Sequence, residues 1–146
     1  MFFHVDKFLK IQNSRLKKRE EIYHALVDVS RLWNENDQMA LDEILKLTAE
    51  ILVKDLNLGL VWMGNVDEDG WVKIRGSAGD AIGYTHNLRV SIDEKSPYGK
   101  GPAGISLRSG KISILRDFDD PKFKVWRQMA KTYGLGQAAG VPFEDF

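Results

Sequence analysis

The sequence predicts one α+β domain, in which two long helices lead into antiparallel strands joined by short helices and loops. Three observations predict it. Apolar residues recur at a helical period of 3.6 up to residue 55 and at a strand period of 2 after Gly59. A turn signal, Asp67-Glu68-Asp69-Gly70, divides the first two strand patterns. The chain is 146 residues long, which is one ordinary domain with enough length to bury a core unaided.

Residues 1–35 read as a helix. Ile22, Leu26, Val29 and Trp33 fall on one face, and no Pro or Gly precedes Gly59. Asn36 or Asp37 offers a short side-chain acceptor to start a second helix, which runs to about Asp55. Its apolar surface is double, with Ala40, Ile44, Leu47 and Ile51 beside Leu41, Leu45 and Leu52, so it needs cover on more than one side. Asn57 and Gly59 close it.

Residues 59–66 read as a strand that is apolar on both faces, hence central in its sheet. Residues 71–76 return from the 67–70 loop, with Val72 and Ile74 on one face and Lys73 and Arg75 on the other. Residues 77–87 are loop or short helix, and residues 88–92 a third strand. Pro102 suits a first helical position because its missing N–H is unpaired there in any case, and Gly110 stops that helix. Residues 111–115 form a strand, Asp119 or Asp120 caps a helix running from Pro121 to about Thr132, and residues 137–142 are the fifth strand.

Composition excludes several chemistries. Lys and Arg together number 21, as do Asp and Glu, so no global field draws the chain onto nucleic acid or an anionic membrane. There is no cysteine, which removes thiol nucleophiles, thiolate metal sites and thioether-linked chromophores, and suits a reducing, cytoplasmic address. Asp6, Lys7 and Lys10 interrupt the first apolar stretch, so it does not read as a signal peptide. Arg15-Leu16-Lys17-Lys18-Arg19 is the one dense basic cluster. With Glu20 and Glu21 next to it, it reads as a solvated helix face rather than a docking patch.

Residues 99–104, Gly-Lys-Gly-Pro-Ala-Gly, match the glycine pattern of a dinucleotide loop. The context disagrees, because a short helix follows and residue 124, where an acid is wanted, is lysine. Two roles remain open. The glycines give tight entry to a packed helix, or the free N–H groups of Ala103 and Gly104 hold a small anion or polar ligand group. His4, His24 and His86 show no metal-ligand spacing. A solvated loop histidine is the ordinary reading of His86, with an axial haem ligand as the alternative. Asp117, Asp119 and Asp120 look like an acidic cluster for a cation, but Asp119-Asp120-Pro121 reads better as helix capping. No catalytic constellation is visible, and no cofactor is indicated.

The run from Val90 to Phe143 resembles a GAF domain. The residues that carry the likeness are Ser91-Ile92-Asp93, the segment 99–104, Leu107-Arg108-Ser109-Gly110-Lys111, Asp117-Phe118, Asp120-Pro121-Lys122-Phe123, Trp126-Arg127 and Val141-Pro142-Phe143. It looks like the subgroup found ahead of diguanylate cyclase, phosphodiesterase and histidine kinase outputs. The resemblance implies a profilin- or PAS-like central antiparallel sheet of five or six strands. N-terminal helices lie on one face, and short helices and loops cover a pocket on the other. It divides the chain into a signalling and dimerisation helix, 1–35, and a GAF domain, 36–146. The family's last strand and helix would lie beyond Phe146, so the chain is a piece of a longer signalling protein or leaves a sheet edge open.

The function implied is non-catalytic sensing of a small molecule, as a homodimer, with ligand state relayed through the N-terminal helices to a C-terminal output domain. No nucleic acid or membrane insertion is expected. The alternative is a ligand-free dimerisation or linker domain of a signalling enzyme such as a diguanylate cyclase. The ligand-binding residues expected are Trp62, Tyr98, Gly101, Pro102, Ala103 and Trp126. The Asn-Lys-x-Phe-x-x-x-Asp-Glu pattern of cyclic-nucleotide-binding members is absent, so the ligand stays unnamed. The missing cysteines exclude a covalent bilin and the reductase activity known in the family.

Overall fold

A computed structural model describes residues 2–143, with side chains described from Ser14 onward. Helix α1 spans Phe2–Glu35 and α2 spans Leu41–Leu56. The side chain of Asn36 does not open α2. Its Nδ2 donates to the Leu32 carbonyl (2.9 Å) and so closes α1. Ala40, with extended backbone, is the first flank of α2 and has no side-chain cap, while Asp42 and Glu43 place negative charge on the first turn. Asn57 ends α2 in the left-handed conformation, as its sequence position predicts.

The double stripe of α2 is covered from two sides. Ile44, Leu45, Thr48 and Ala49 are buried. On one side, Trp33 of α1 donates its indole N–H to Thr48 Oγ1 (2.9 Å), and the Thr48 hydroxyl donates to the Ile44 carbonyl (2.7 Å). On the other side lies an antiparallel hairpin of β1 (Val61–Val66) and β2 (Val72–Ala78). Its turn follows from local chemistry. Asp67 Oδ1 accepts from the backbone N–H groups of Asp69 and Trp71, both at 2.9 Å, and Gly70 takes φ = 83°.

Pairing runs Met63 with Gly76 and then Gly64 with Ile74, so Arg75 is an extra residue in β2. This bulge re-aims the strand. Before it, Val72 packs against the core of the C-terminal half. After it, Gly76 lies so close to α2 that a Cβ there would sit 2.8 Å from the backbone of Leu45 and Lys46. Arg75 itself pairs with Asp42 of α2.

Two expectations are corrected. Residues 88–92 do not form a third strand. They meet β2 at one isolated antiparallel bridge, Trp71 with Ser91, flanked by hydrogen bonds from Val72 N–H to the Val90 carbonyl (2.8 Å) and Ile92 N–H to the Gly70 carbonyl (2.9 Å). Nor is β1 central: among the described residues it pairs only with β2. Both its faces are apolar because α2 covers one and the C-terminal core the other, a layering effect rather than flanking strands.

The second half is built from short pieces. Helix α3 (Pro102–Ser109) leads to β3 (Ser113–Leu115), and α4 (Arg127–Thr132) leads to β4 (Ala138–Gly140). β3 and β4 pair antiparallel as a separate two-stranded sheet, so the described residues hold two small sheets where one larger sheet is expected. The helix expected from Pro121 to Thr132 is split into a single turn, Pro121–Phe123, and α4. Asp120 accepts from Lys122 N–H (2.9 Å), which caps the turn. One core unites this half: Tyr84, Val90, Leu115, Phe118, Phe123, Trp126 and Ala130.

Candidate functional site

The motif residues Arg108 and Arg127 of the C-terminal half turn out to be loop anchors. Arg108 at the end of α3 donates to the carbonyls of Gly99 (2.7 Å) and Ile92 (3.1 Å), holding the 92–99 loop. Arg127 donates to the carbonyls of Phe118 and Asp119 (2.9 Å each) and Asp120 (3.3 Å), holding the 117–120 loop. Asp117 accepts from Asp119 N–H (2.9 Å). Asp117 and Asp120 thus cap local turns, Asp119 instead pairs with Arg127 (3.8 Å) and Lys131 (3.6 Å), and no group of three metal-ligating side chains forms among the described residues.

The glycines of residues 99–104 serve close packing. A Cβ at Gly99 would collide with the Asp93 carbonyl, and one at Gly104 with the Gly99 carbonyl (2.6 Å). At Gly101 it would meet Cζ3 of Trp126 at 2.7 Å. Gly101 has φ = −84°, so it is required for space and not for conformation. The Trp126 ring thus occupies the approach that the glycines were expected to leave open at the start of α3.

Beside that ring lies a cavity of about 120 Å³. Tyr84, Asn87, Leu88 and Arg89 line it from the segment after β2. Tyr98 lines it from the loop before α3, and Val125, Trp126 and Met129 from the chain around the start of α4. Its walls are ordered by rings. Tyr98 meets Trp126 edge-on, with centroids 6.3 Å apart, and Trp126 packs on Phe123 at 4.9 Å. The Trp126 indole N–H donates to the Arg89 carbonyl (2.9 Å), tying two walls together across 37 residues of sequence. Burial pushes the Tyr84 phenol well above its ordinary range, so it remains a neutral group.

Of the expected site residues, Tyr98 and Trp126 line this cavity. Trp62 and Ala103 pack against the surrounding core, and Gly101 and Pro102 are buried at the head of α3, so the structure places these four behind the walls. His86 is exposed and does not line the cavity. Sequence reasoning missed Tyr84, Asn87, Leu88, Arg89, Val125 and Met129. Residues 88–92 carry a strand-like pattern, and nothing local in it marks Arg89 as a wall residue.

No protein-family model matches the chain, and no curated protein matches it. Solved structures do. The chain is similar to the GAF domain region of a protein named as a membrane protein from Geobacter sulfurreducens PCA. Identity there is 18%, TM-score 0.54, with coverage of 84% of this chain and 70% of that one. It is also similar to the GAF domain of A. aeolicus nlh2 in an inactive state, at 16% identity and TM-score 0.53, covering 88% and 83%. The chain therefore has a GAF-like fold. Among the described residues, no helix is long and apolar enough to cross a membrane.

Proposed function

We propose that this chain is a non-catalytic sensory module of a signal-transduction protein, which binds a small molecule in the cavity between Tyr84, Tyr98 and Trp126. The observation that carries the reading is the cavity itself: aromatic and apolar side chains with a few polar groups, braced by a bond between distant segments, line a space sized for a very small molecule. Tyr98 and Trp126 contact the ligand. Gly101, Pro102 and Ala103 set the position of Trp126, and Trp62 backs the core behind it. Ligand state passes through the β1–β2 hairpin and α2 to α1, and from there to an output domain.

The state relayed is that of a homodimer joined through α1. Ala25, Val29 and Trp33 turn toward the rest of the domain, whereas Ile22 and Leu26 are 47% and 63% exposed. That exposure supports a helix-to-helix contact between two copies. Leu26→Asp is expected to convert dimers to monomers in light scattering. An unmutated chain that stays monomeric at high concentration refutes the dimer.

The competing reading, a ligand-free linker domain, draws on the Trp126 ring filling the approach to Gly101. Thermal denaturation against a panel of small metabolites separates the two, because a ligand that binds only the folded chain raises the midpoint. A panel without any shift favours the linker.

A further inference from the structure

Arg89 is the one charged side chain among the residues lining the cavity, and its setting is specific. Its guanidinium carbon lies 4.3 Å from the centroid of the Trp71 ring and 5.1 Å from that of Tyr98. Those two rings are tilted toward each other, 5.8 Å apart. Its backbone is pinned as well, since its carbonyl accepts from Trp126 and the next residue, Val90, accepts from Val72. No carboxylate among the described residues pairs with Arg89. The residue is exposed, and its guanidinium rests beside Tyr98, itself a lining residue, so the charge is open to solvent next to the cavity wall.

An arginine held over two rings has its long stem ordered in advance, while its planar fork of N–H donors stays free for a bidentate acceptor. The other lining residues include Leu88, Val125 and Met129, which suit an apolar tail. Volume limits the size. A cavity of about 150 Å³ takes a six-carbon ring, so one of about 120 Å³ takes about five or six non-hydrogen atoms. Resting on the sensory reading above, we propose that the ligand is a short-chain monocarboxylate whose carboxylate is bound by Arg89 and whose tail enters the cavity.

The test uses butyrate and its neutral isostere butyramide, with binding read by calorimetry and by the thermal midpoint. Butyrate is expected to bind and to raise the midpoint, and butyramide to bind at least about tenfold more weakly, because a hydrogen bond between charged partners is lost. Arg89→Gln is expected to weaken butyrate about ten- to hundredfold, to the level of butyramide, and leave butyramide unchanged. Arg89→Lys keeps the charge and is expected to retain part of the affinity, which provides a readout should Arg89→Gln fail to fold. Equal binding of acid and amide, or butyrate affinity untouched by either variant, overturns the carboxylate while leaving a small-molecule site standing. If neither these probes nor the metabolite panel shifts the protein, the sensory reading and the proposal fall together.

Discussion

The contact between Gly101 and Trp126 makes a quantitative prediction. Alanine at position 101 would place a Cβ 2.7 Å from Cζ3 and 3.0 Å from Cη2 of the indole. To restore ordinary contact the ring has to retreat by about 0.7 Å, a displacement that packed interiors resist. It is held from behind by Phe123 and at its nitrogen by the Arg89 carbonyl. The backbone at Gly101 suits alanine, so the whole penalty is crowding, and Gly101→Ala should cost about 1–3 kcal/mol. Trp126→Phe should itself cost about 1–3 kcal/mol, because it leaves the Arg89 carbonyl without its donor and thins the core. It also removes the two carbon atoms that Gly101→Ala strikes. In the Trp126→Phe background, adding Gly101→Ala should therefore cost under about 0.5 kcal/mol, giving a coupling of about 1–2 kcal/mol. Urea unfolding followed by far-ultraviolet circular dichroism measures all four corners of this cycle. Additive effects would show that the ring does not lie over Gly101 and would refute the packing argument.

Three more expectations follow from the same contacts. Gly76→Ala drives a Cβ into the α2 backbone, where neither strand nor helix can give way, and should cost about 2–3 kcal/mol in urea unfolding, more than any alanine substitution on the exposed face of α2. Arg127→Ala frees three carbonyls of the 117–120 loop and should cost about 1.5–3 kcal/mol, with amide exchange rising first in that loop. Asp55 on α2 has a buried Oδ2 that lacks a partner unless a proton lies between it and Asp28 of α1. A hydrogen bond to Asp28, then burial, then the Asp28 charge raise its pKa above the usual 3.8. The folded chain thus binds this proton more tightly than the unfolded one. The contribution is complete below pH 3.8 and is lost as pH rises through the folded-state value, so stability should fall with pH in that window and Asp55→Asn should flatten the fall.

How much was legible divides along the range of the interactions. The 67–70 hairpin, the Asn57 stop, the cap at Asp120 and the start of α3 at Pro102 are all set by side chains within a few residues of their targets, and so is the Asp117 turn, which the sequence reading did not single out. The start of α2 was misplaced because Asn36, a fair cap by type, serves the helix before it. The bulge at Arg75 leaves no mark in the alternation of residues 71–76, since the face change follows from pairing with β1. The cavity was half legible. Tyr98 stands out as an aromatic beside a glycine-rich helix start, and Trp126 as an aromatic on the later helix of the resemblance. Arg89 becomes a wall only through Trp126, 37 residues away, and through Trp71 on a strand it meets at one bridge.

Helix α1 has a mechanical consequence. Its side chains from Ser14 to Glu20 are all exposed, while Trp33 is fastened to α2 through Thr48. Between Ser14 and the buried Ala25 an α-helix rises about 16 Å, so a tilt of about 5° of the part beyond Ala25 carries Ser14 through about 1.4 Å. The helix is thus a lever arm with its fulcrum on α2. Any tilt of α1 on α2 is therefore largest at the end farthest from the domain.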